Sequence, residues 1–171
     1  FQFDFDFRFH IQSRPNAPAA AVRAVVVQRA ARADMPRVAR IAGADMVVYP
    51  SPYGKFPLLR ERYLQIGHHL NSPWCNISRV FPMPGGGVMP NCVHAIYRDL
   101  GPDCIMGAGG AIHGHPMGPV AGARAMRQSI DAVVKGISIL EAAKEHPELK
   151  AAIDAWGVME ETESGIFEIK G

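Results

Sequence analysis

Apolar and polar residues follow two different rhythms along this chain, and the change of rhythm divides it. At the start, Phe1, Phe3, Phe5, Phe7 and Phe9 alternate with polar residues. A period of two predicts a strand with one aromatic face. Residues 14–32 are rich in Ala, Arg and Val and contain Pro15 and Pro18. That composition admits a helix from about Ala19, an unstructured stretch, or a leader foreign to the domain that follows.

From Asp34 onward the pattern becomes regular. Asp34-Met35-Pro36 reads as a helix start, with Asp at the N-cap and Pro in the first turn, and the helix ends near Gly43. Residues 45–49 form a short apolar run closed by Pro50 and Pro52, which predicts a strand. Gly54-Lys55-Phe56-Pro57 reads as loop. Leu59, Tyr63, Ile66 and Leu70 share one face of a helix. A second strand is expected over residues 76–81. Asn91 then caps a helix carrying Val93, Ile96 and Leu100, stopped by Gly101-Pro102. Residues 103–106 read as a third strand. Ala123, Met126, Ile130, Val133, Ile137 and Leu140 step by three and four, which predicts one long helix. Pro147 opens a last helix with Leu149, Ile153 and Trp156, ended by Gly157. Residues 158–171 lean acidic and show no strong period.

The expected order is α-βα-βα-βα-α, at roughly 25–30 residues per unit, the rhythm of a parallel sheet covered by helices. The reading divides the chain into an atypical leader (1–33), a regular α/β part (34–157) and a tail (158–171). Two glycine clusters stand out within the regular part. Pro84-Gly85-Gly86-Gly87 follows the second strand region, and Gly107-Ala108-Gly109-Gly110 follows the third. Glycine brings bare backbone N–H groups close to a ligand. Two such turns at the ends of neighbouring parallel strands would make an anion cradle suited to phosphate.

Composition narrows the alternatives. The 171 residues suffice for one domain with a core, and 48% are apolar. A net charge of +2 without clustered Lys and Arg gives no nucleic-acid footprint. No run of about 18 uncharged apolar residues predicts a membrane span; residues 17–33, the most apolar early stretch, are interrupted by Arg23, Arg29 and Arg32. Cys75, Cys92 and Cys104 fit neither a zinc site nor a disulfide framework, so they read as small buried filler in a reducing, cytoplasmic setting. The chain opens on Phe1 with no secretory pattern ahead of it, and is expected to be a fragment of something longer.

Several motifs in order carry a resemblance. Ala42-Gly43-Ala44-Asp45, Tyr53-Gly54-Lys55, Pro84-Gly85-Gly86-Gly87 and Gly109-Gly110 with Gly114-His115-Pro116-Met117-Gly118 resemble the C-terminal part of the large subunit of ribulose-bisphosphate carboxylase (RuBisCO). They look more like the RuBisCO-like proteins of that superfamily. The likeness runs from about Met35 to Gly157 and leaves residues 1–33 uncovered. It implies the C-terminal portion of a TIM (β/α)8 barrel, strands six to eight with their helices, incomplete in this chain. In such barrels the loops after strands seven and eight often hold phosphate. The resemblance therefore implies phosphate contacts for Gly85, Gly86 and Gly87 in the first turn and for Gly109 and Gly110 in the second. It places Lys55 at the catalytic lysine of the mobile loop after strand six.

The departures are informative. Carboxylases carry Ser-Gly-Gly where this chain has Gly85-Gly86-Gly87, and a strand-six histidine where it has Val48. The loop around Lys55 is rich in Pro and aromatic residues. These changes imply a RuBisCO-like enolase or isomerase of methionine salvage, acting on a phosphorylated ketose such as 2,3-diketo-5-methylthiopentyl-1-phosphate or 5-methylthioribulose-1-phosphate. A non-catalytic remnant keeping only the phosphate cradle, a sugar-acid phosphate decarboxylase and a carboxylase are the alternatives. The family chemistry is proton abstraction next to a ketone, with Mg²⁺ as the Lewis acid that stabilises the developing oxyanion. Its ligands, a carbamylated lysine and two carboxylates, are expected upstream, because no Lys-x-Asp-Asp/Glu run occurs here. The parent is thus expected to be an enzyme and a homodimer, with a small-molecule sugar phosphate as ligand and neither nucleic acid nor membrane as partner; this chain alone is expected to be inactive.

Other polar residues carry two readings each. Lys55 is either a cation beside the reacting carbon or phosphate, or a solvated loop residue. His113 and His115 form a His-x-His pair without a third ligand nearby, and are expected to shape the second turn through backbone hydrogen bonds. His68-His69 reads as a solvated pair at a helix C-terminus, and Glu160, Glu161 and Glu163 as an exposed acidic tail. Three strands of a barrel leave two open edges, so the isolated chain is expected to be marginal, aggregating or dimerising.

Overall fold

Three short strands run parallel, side by side in chain order: β1 (Ala24–Val26), β2 (Met46–Pro50) and β3 (Phe81–Gly85). They come from a computed structural model that describes residues 24–26, 35–55, 58–161 and 167–170. The alternating phenylalanines of residues 1–9, the Asp34 cap, Phe56, Pro57 and Glu163 lie outside the described residues, as do the side chains of Glu160 and Glu161. Within the stretch that admitted a helix from Ala19, residues 24–26 are a strand, with Ala24 opposite Met46 and Val26 opposite Val48.

Prolines set the shape of the sheet. β3 reads Phe-Pro-Met-Pro-Gly, with Phe81 opposite Met46 and Gly85 opposite Pro50. Proline has no N–H to donate. In β3 the odd-numbered residues bond toward β2: Phe81 N–H donates to Asp45 O (3.0 Å), and Gly85 O accepts from Ser51 N–H (3.0 Å). Pro82 and Pro84 are in the other phase, so their missing donors cost the β2–β3 ladder nothing. Their carbonyls point to the opposite side and accept from Ile105 N–H and Gly107 N–H, each at 3.0 Å.

Two strand expectations are corrected for this one reason. The second strand occupies Phe81–Gly85 rather than residues 76–81, because correctly phased prolines do not end it. The third, expected over 103–106, is an extended segment held by β3 carbonyls alone, since the prolines cannot donate back; only the parallel bridge between Gly85 and Gly107 closes it.

Helices cover the sheet: α1 (Met35–Ile41), α2 (Arg60–Asn71), α3 (Val93–Leu100), α4 (Gly109–His113), α5 (Pro119–Val134), α6 (Ile139–Glu145) and α7 (Pro147–Trp156). In α2, Tyr63, Ile66 and Leu70 are buried against the core as their spacing predicts, whereas Leu59 precedes the helix and is exposed. Gly101 and Gly157, both with positive φ, close α3 and α7 where expected. The long helix is instead two, because Gly136 takes φ +70° and its N–H turns back to Val133 O (3.0 Å). Ile137 and Leu140, assigned by period to the apolar face, are exposed on and after that break. Asn91 does not cap α3. A 3-10 turn (Pro90–Cys92) precedes the helix, and the Asn91 amide donates to Trp156 O and Gly157 O, both at 3.1 Å. The tail is a hairpin, with β4 (Val158–Glu161) antiparallel to β5 (Phe167–Lys170).

The main core gathers Val47, Tyr49, Tyr63, Leu70, Val80, Val88 and Ile96, and a second cluster lies among α5, α6 and α7 around Leu149. One buried charge serves the first core. Arg40, 3% exposed, donates to the carbonyls of Ser78 (3.1 Å), His69 (2.7 Å), Ser72 (2.8 Å) and Ile77 (2.9 Å). It thus meets the negative end of α2 and holds the segment that leads into β3. Lysine cannot reproduce this fork. Arg40→Lys is expected to cost about 2 kcal/mol through carbonyls left unpaired, read as a lowered urea midpoint at constant slope.

Candidate functional site

The carboxyl tips of β2, β3 and the extended segment ending at Gly107 stand in one row. Pro50 pairs with Gly85, and Gly85 with Gly107, so the two glycine turns are immediate neighbours at the same end of the sheet. Gly86 and Gly87 follow with φ of +82° and +110°, a region that favours glycine. Gly109 and Gly110 open α4 just past the other tip.

A third piece of backbone lies on the first turn. After β2 the chain folds back, and Lys55 N–H donates to Gly86 O (2.9 Å). A Cβ on Gly54 would stand 2.1 Å from Gly86 O, and one on Gly87 would stand 2.8 Å from Gly54 Cα and Lys55 N. Likewise a Cβ on Gly107 would meet Pro84 O at 2.7 Å. These three glycines are required by the chain's own backbone contacts. The others are not. A Cβ on Gly85 would make only ordinary contact with Val48 Cγ1 (3.7 Å), and none on Gly109 or Gly110 would meet any atom within 4 Å. The structure therefore brings Lys55, Gly85, Gly86 and Gly87 together, with Gly109 and Gly110 open beside them. The Lys55 side chain is exposed.

The loop bearing Lys55 is tied down by a network that no sequence spacing announced. Tyr53 donates its hydroxyl to Asp99. The Asp99 carboxylate, 2% exposed, also accepts from Arg60 (2.7 Å) and Arg98 (3.1 Å). Arg60 Nε in turn donates to the Tyr53 oxygen (3.2 Å). Burial, and then the bond to Asp99, push the Tyr53 phenol up to about 12, and the bonds to Tyr53 and Asp99 raise the Arg60 guanidinium. A tyrosine followed by glycine in a Pro-rich loop was visible, but nothing in the sequence joins position 53 to position 99.

The histidines serve structure. His115 is buried at 4% exposure; its Nδ1 accepts from Met117 N–H (3.1 Å) and its Nε2 lies 2.9 Å from Glu148 O, so backbone groups engage both ring nitrogens. The ring also meets Trp156 edge to face at 5.8 Å. His113 is exposed. His68 and His69 lie in the last turn of α2, the former bonded to Ser72 Oγ (3.1 Å). Cys92 is buried and Cys104 half-buried, but Cys75 is exposed at φ +47°, which corrects its reading as core filler; all three thiols are free.

Among the described residues no group of three His, Cys, Asp or Glu could hold a metal ion. The strand tips do not fit Mg²⁺, which takes oxygen ligands: they present backbone N–H groups and a lysine, and the nearby carboxylate of Asp99 is committed to Tyr53 and two arginines. No step is derived through a metal on these residues. Among the described residues no helix is long and apolar enough to cross a membrane.

Glycine backbone at adjacent parallel tips, with the preceding loop folded onto it, defines an α/β protein whose glycine turns lie at the carboxyl end of a parallel sheet. Residues 59–156 match the family model of the ribulose bisphosphate carboxylase large chain, catalytic domain. The chain belongs to this family. A 2,3-diketo-5-methylthiopentyl-1-phosphate enolase from Geobacillus thermodenitrificans is 47% identical over 121 residues, 71% of this chain and 29% of that protein. Among solved structures, a rubisco-like protein from Alicyclobacillus acidocaldarius is similar at TM-score 0.65 and 40% identity, covering 70% of this chain and 30% of that one. The octameric RuBisCO of Pyrococcus horikoshii is similar at TM-score 0.69 and 34% identity, covering 77% of this chain and 35% of that one. The chain thus spans about 30% of the length of the curated relatives it matches.

Two measurements test this geometry. Gly54→Ala is expected to cost about 3 kcal/mol or prevent folding, because backbone cannot yield to the new Cβ, whereas Gly110→Ala should leave stability, read from urea unfolding, unchanged or raise it by up to about 1 kcal/mol. Stability should also fall at alkaline pH. Burial first holds the thiols of Cys92 and Cys104 up at about 11, and the Tyr53 phenol at about 12, while the unfolded chain releases these protons near 9 and 10. The unfolded state therefore binds fewer protons as pH rises, and stability drops from about pH 9 through about 12. A urea midpoint constant across that range would contradict the assignment.

Proposed function

We propose that this chain is the phosphate-holding portion of a RuBisCO-like enolase, corresponding to strands six to eight of its (β/α)8 barrel. The observation that supports it most directly is the row Pro50–Gly85–Gly107, with Gly109 and Gly110 left open at its end. On this reading the N–H groups of Gly85, Gly86, Gly87, Gly109 and Gly110 donate to the phosphate oxygens of a phosphorylated ketose. Lys55 supplies positive charge beside the phosphate or the reacting carbon. The relatives named as 2,3-diketo-5-methylthiopentyl-1-phosphate enolases favour that substrate class and methionine salvage over carbon fixation. Gly85 agrees with this preference: the site has space for the serine of carboxylases and does not use it.

The base that removes the proton and the Mg²⁺ belong, on this reading, to residues of the parent protein outside this chain, and the parent is a cytoplasmic oligomer. The chain alone binds the phosphate ester and does not turn it over.

Titration of the ¹⁵N-labelled chain with inorganic phosphate is expected to shift the amide signals of Gly86, Gly87, Gly109 and Gly110 together, with millimolar affinity. Gly110→Ala should weaken that binding at least about threefold without loss of stability, because its Cβ enters the space the ligand needs. Phosphate that shifts none of these amides, or that binds Gly110→Ala equally well, would refute the cradle. Activity belongs to the parent, which should enolise 2,3-diketo-5-methylthiopentyl-1-phosphate and fail to fix carbon dioxide on ribulose bisphosphate.

A further inference from the structure

The contact between Tyr53 and Asp99 joins two places that neither substrate nor sheet connects directly. Asp99 sits in the last turn of α3, the helix that follows the first glycine turn. Tyr53 lies in the loop after β2, two residues before Lys55. That loop already meets the β3 turn through backbone: Ser51 N–H donates to Gly85 O (3.0 Å) and Lys55 N–H to Gly86 O (2.9 Å). Between these two bonds Tyr53 N–H donates to Ser51 Oγ (3.2 Å), and the Tyr53 ring packs against Tyr63 at 6.0 Å. The hydroxyl then reaches Asp99. Residues 51–55 are therefore bound at two faces by one unit, β3 with its turn on one side and α3 on the other.

We propose that Tyr53 and Asp99 are positioning residues that fix the Lys55 segment on the glycine turn, with Arg60 as the hydrogen-bonded counter-charge that aims the Asp99 carboxylate at Tyr53. This rests on the cradle reading for its functional consequence, but the latch itself is a property of the loop. Three features support it. The carboxylate is 2% exposed, yet three donors from three segments converge on it. Tyr53 is the residue through which that buried charge acts on the loop; Arg60 and Arg98 are on helices. And the contact made at the other face, Gly54 against Gly86, leaves no space for a shifted loop without loss of the Lys55–Gly86 bond. Breaking the latch thus frees Lys55 from the turn rather than letting it settle nearby. Asp99 touches no proposed ligand group and acts only through Tyr53.

Amide hydrogen exchange of the full 171-residue chain tests the latch, and inorganic phosphate is the probe for its consequence. Tyr53→Phe keeps the ring and removes the hydroxyl. Lys55 N–H should exchange about tenfold faster, the effect of one lost bond to a charged group, while β2 and α3 amides keep their protection. Asp99→Asn can still accept from Tyr53 but loses the charge, so its Lys55 exchange should fall between wild type and Tyr53→Phe. Phosphate affinity should fall severalfold in the order of exchange. Equal exchange at Lys55 in wild type and Tyr53→Phe would overturn the latch, as would acceleration spread evenly over β2, β3 and α3, which marks a merely structural residue. If Lys55 exchange responds as expected but phosphate binds neither protein, the latch stands and the cradle reading fails.

Discussion

Backbone against backbone is the contact on which this arrangement depends. Gly54 lies so close to Gly86 and Gly87 that no Cβ fits at position 54 or 87, and Gly107 approaches Pro84 in the same manner. Side-chain packing tolerates rotamer changes, but a carbonyl met by a Cβ at 2.1 Å can be relieved only by moving the chain. The loop after β2, the turn after β3 and the tip at Gly107 are consequently placed relative to one another by direct backbone contact. A ligand cradle made of amide groups needs that precision, since its donors cannot swing to find an acceptor.

The phase of the two prolines in β3 decides how far the sheet extends. With both on the side away from β2, one ladder is complete and the other is reduced to accepted bonds. The segment ending at Gly107 is then held at its carboxyl end, where Gly107 pairs, more firmly than along its length. A parallel sheet with weak donors at one junction would ordinarily lose register there. Here the glycine contact at the tip and α5, anchored by Ser129 Oγ on Pro90 O (2.7 Å), compensate from either end.

Period and glycine made much of this legible. The faces of α2 and α7, the stops at Gly101 and Gly157, and the adjacency of two glycine turns all follow from local rules. The errors share a cause, which is that local rules cannot see phase or partners across the chain. Pro82 and Pro84 look like strand breakers until β2 fixes which side donates. Asn91 is well placed as a cap, but the carbonyls that claim it belong to Trp156 and Gly157, sixty-five residues and more away. The stepping apolar residues continue through Gly136, yet beyond it Ile137 and Leu140 are exposed while Ile139 packs, so period alone could not reveal the break. Arg40 and Asp99 escaped notice for the same reason. A buried charge is identified by what surrounds it, and its partners here, Arg98 apart, lie 29 to 46 positions off in sequence.

The glycines separate into two kinds, and the separation itself is an argument about function. Those at 54, 87 and 107 are accounted for by contacts inside the chain, so their presence says nothing about a ligand. Those at 109 and 110 open a helix, where alanine would be more favourable, and they face no atom of the chain within 4 Å. Glycine at a helical position with open space above it raises the entropy cost of folding and returns no packing. The proposed phosphate cradle offers a reason for both: an anion seated on the amides, with the turn of residues 85–87 as its second wall, would need the space that a Cβ would fill. A partner segment of protein would also have to satisfy the amide donors beneath it, and would need acceptors of its own at the same points.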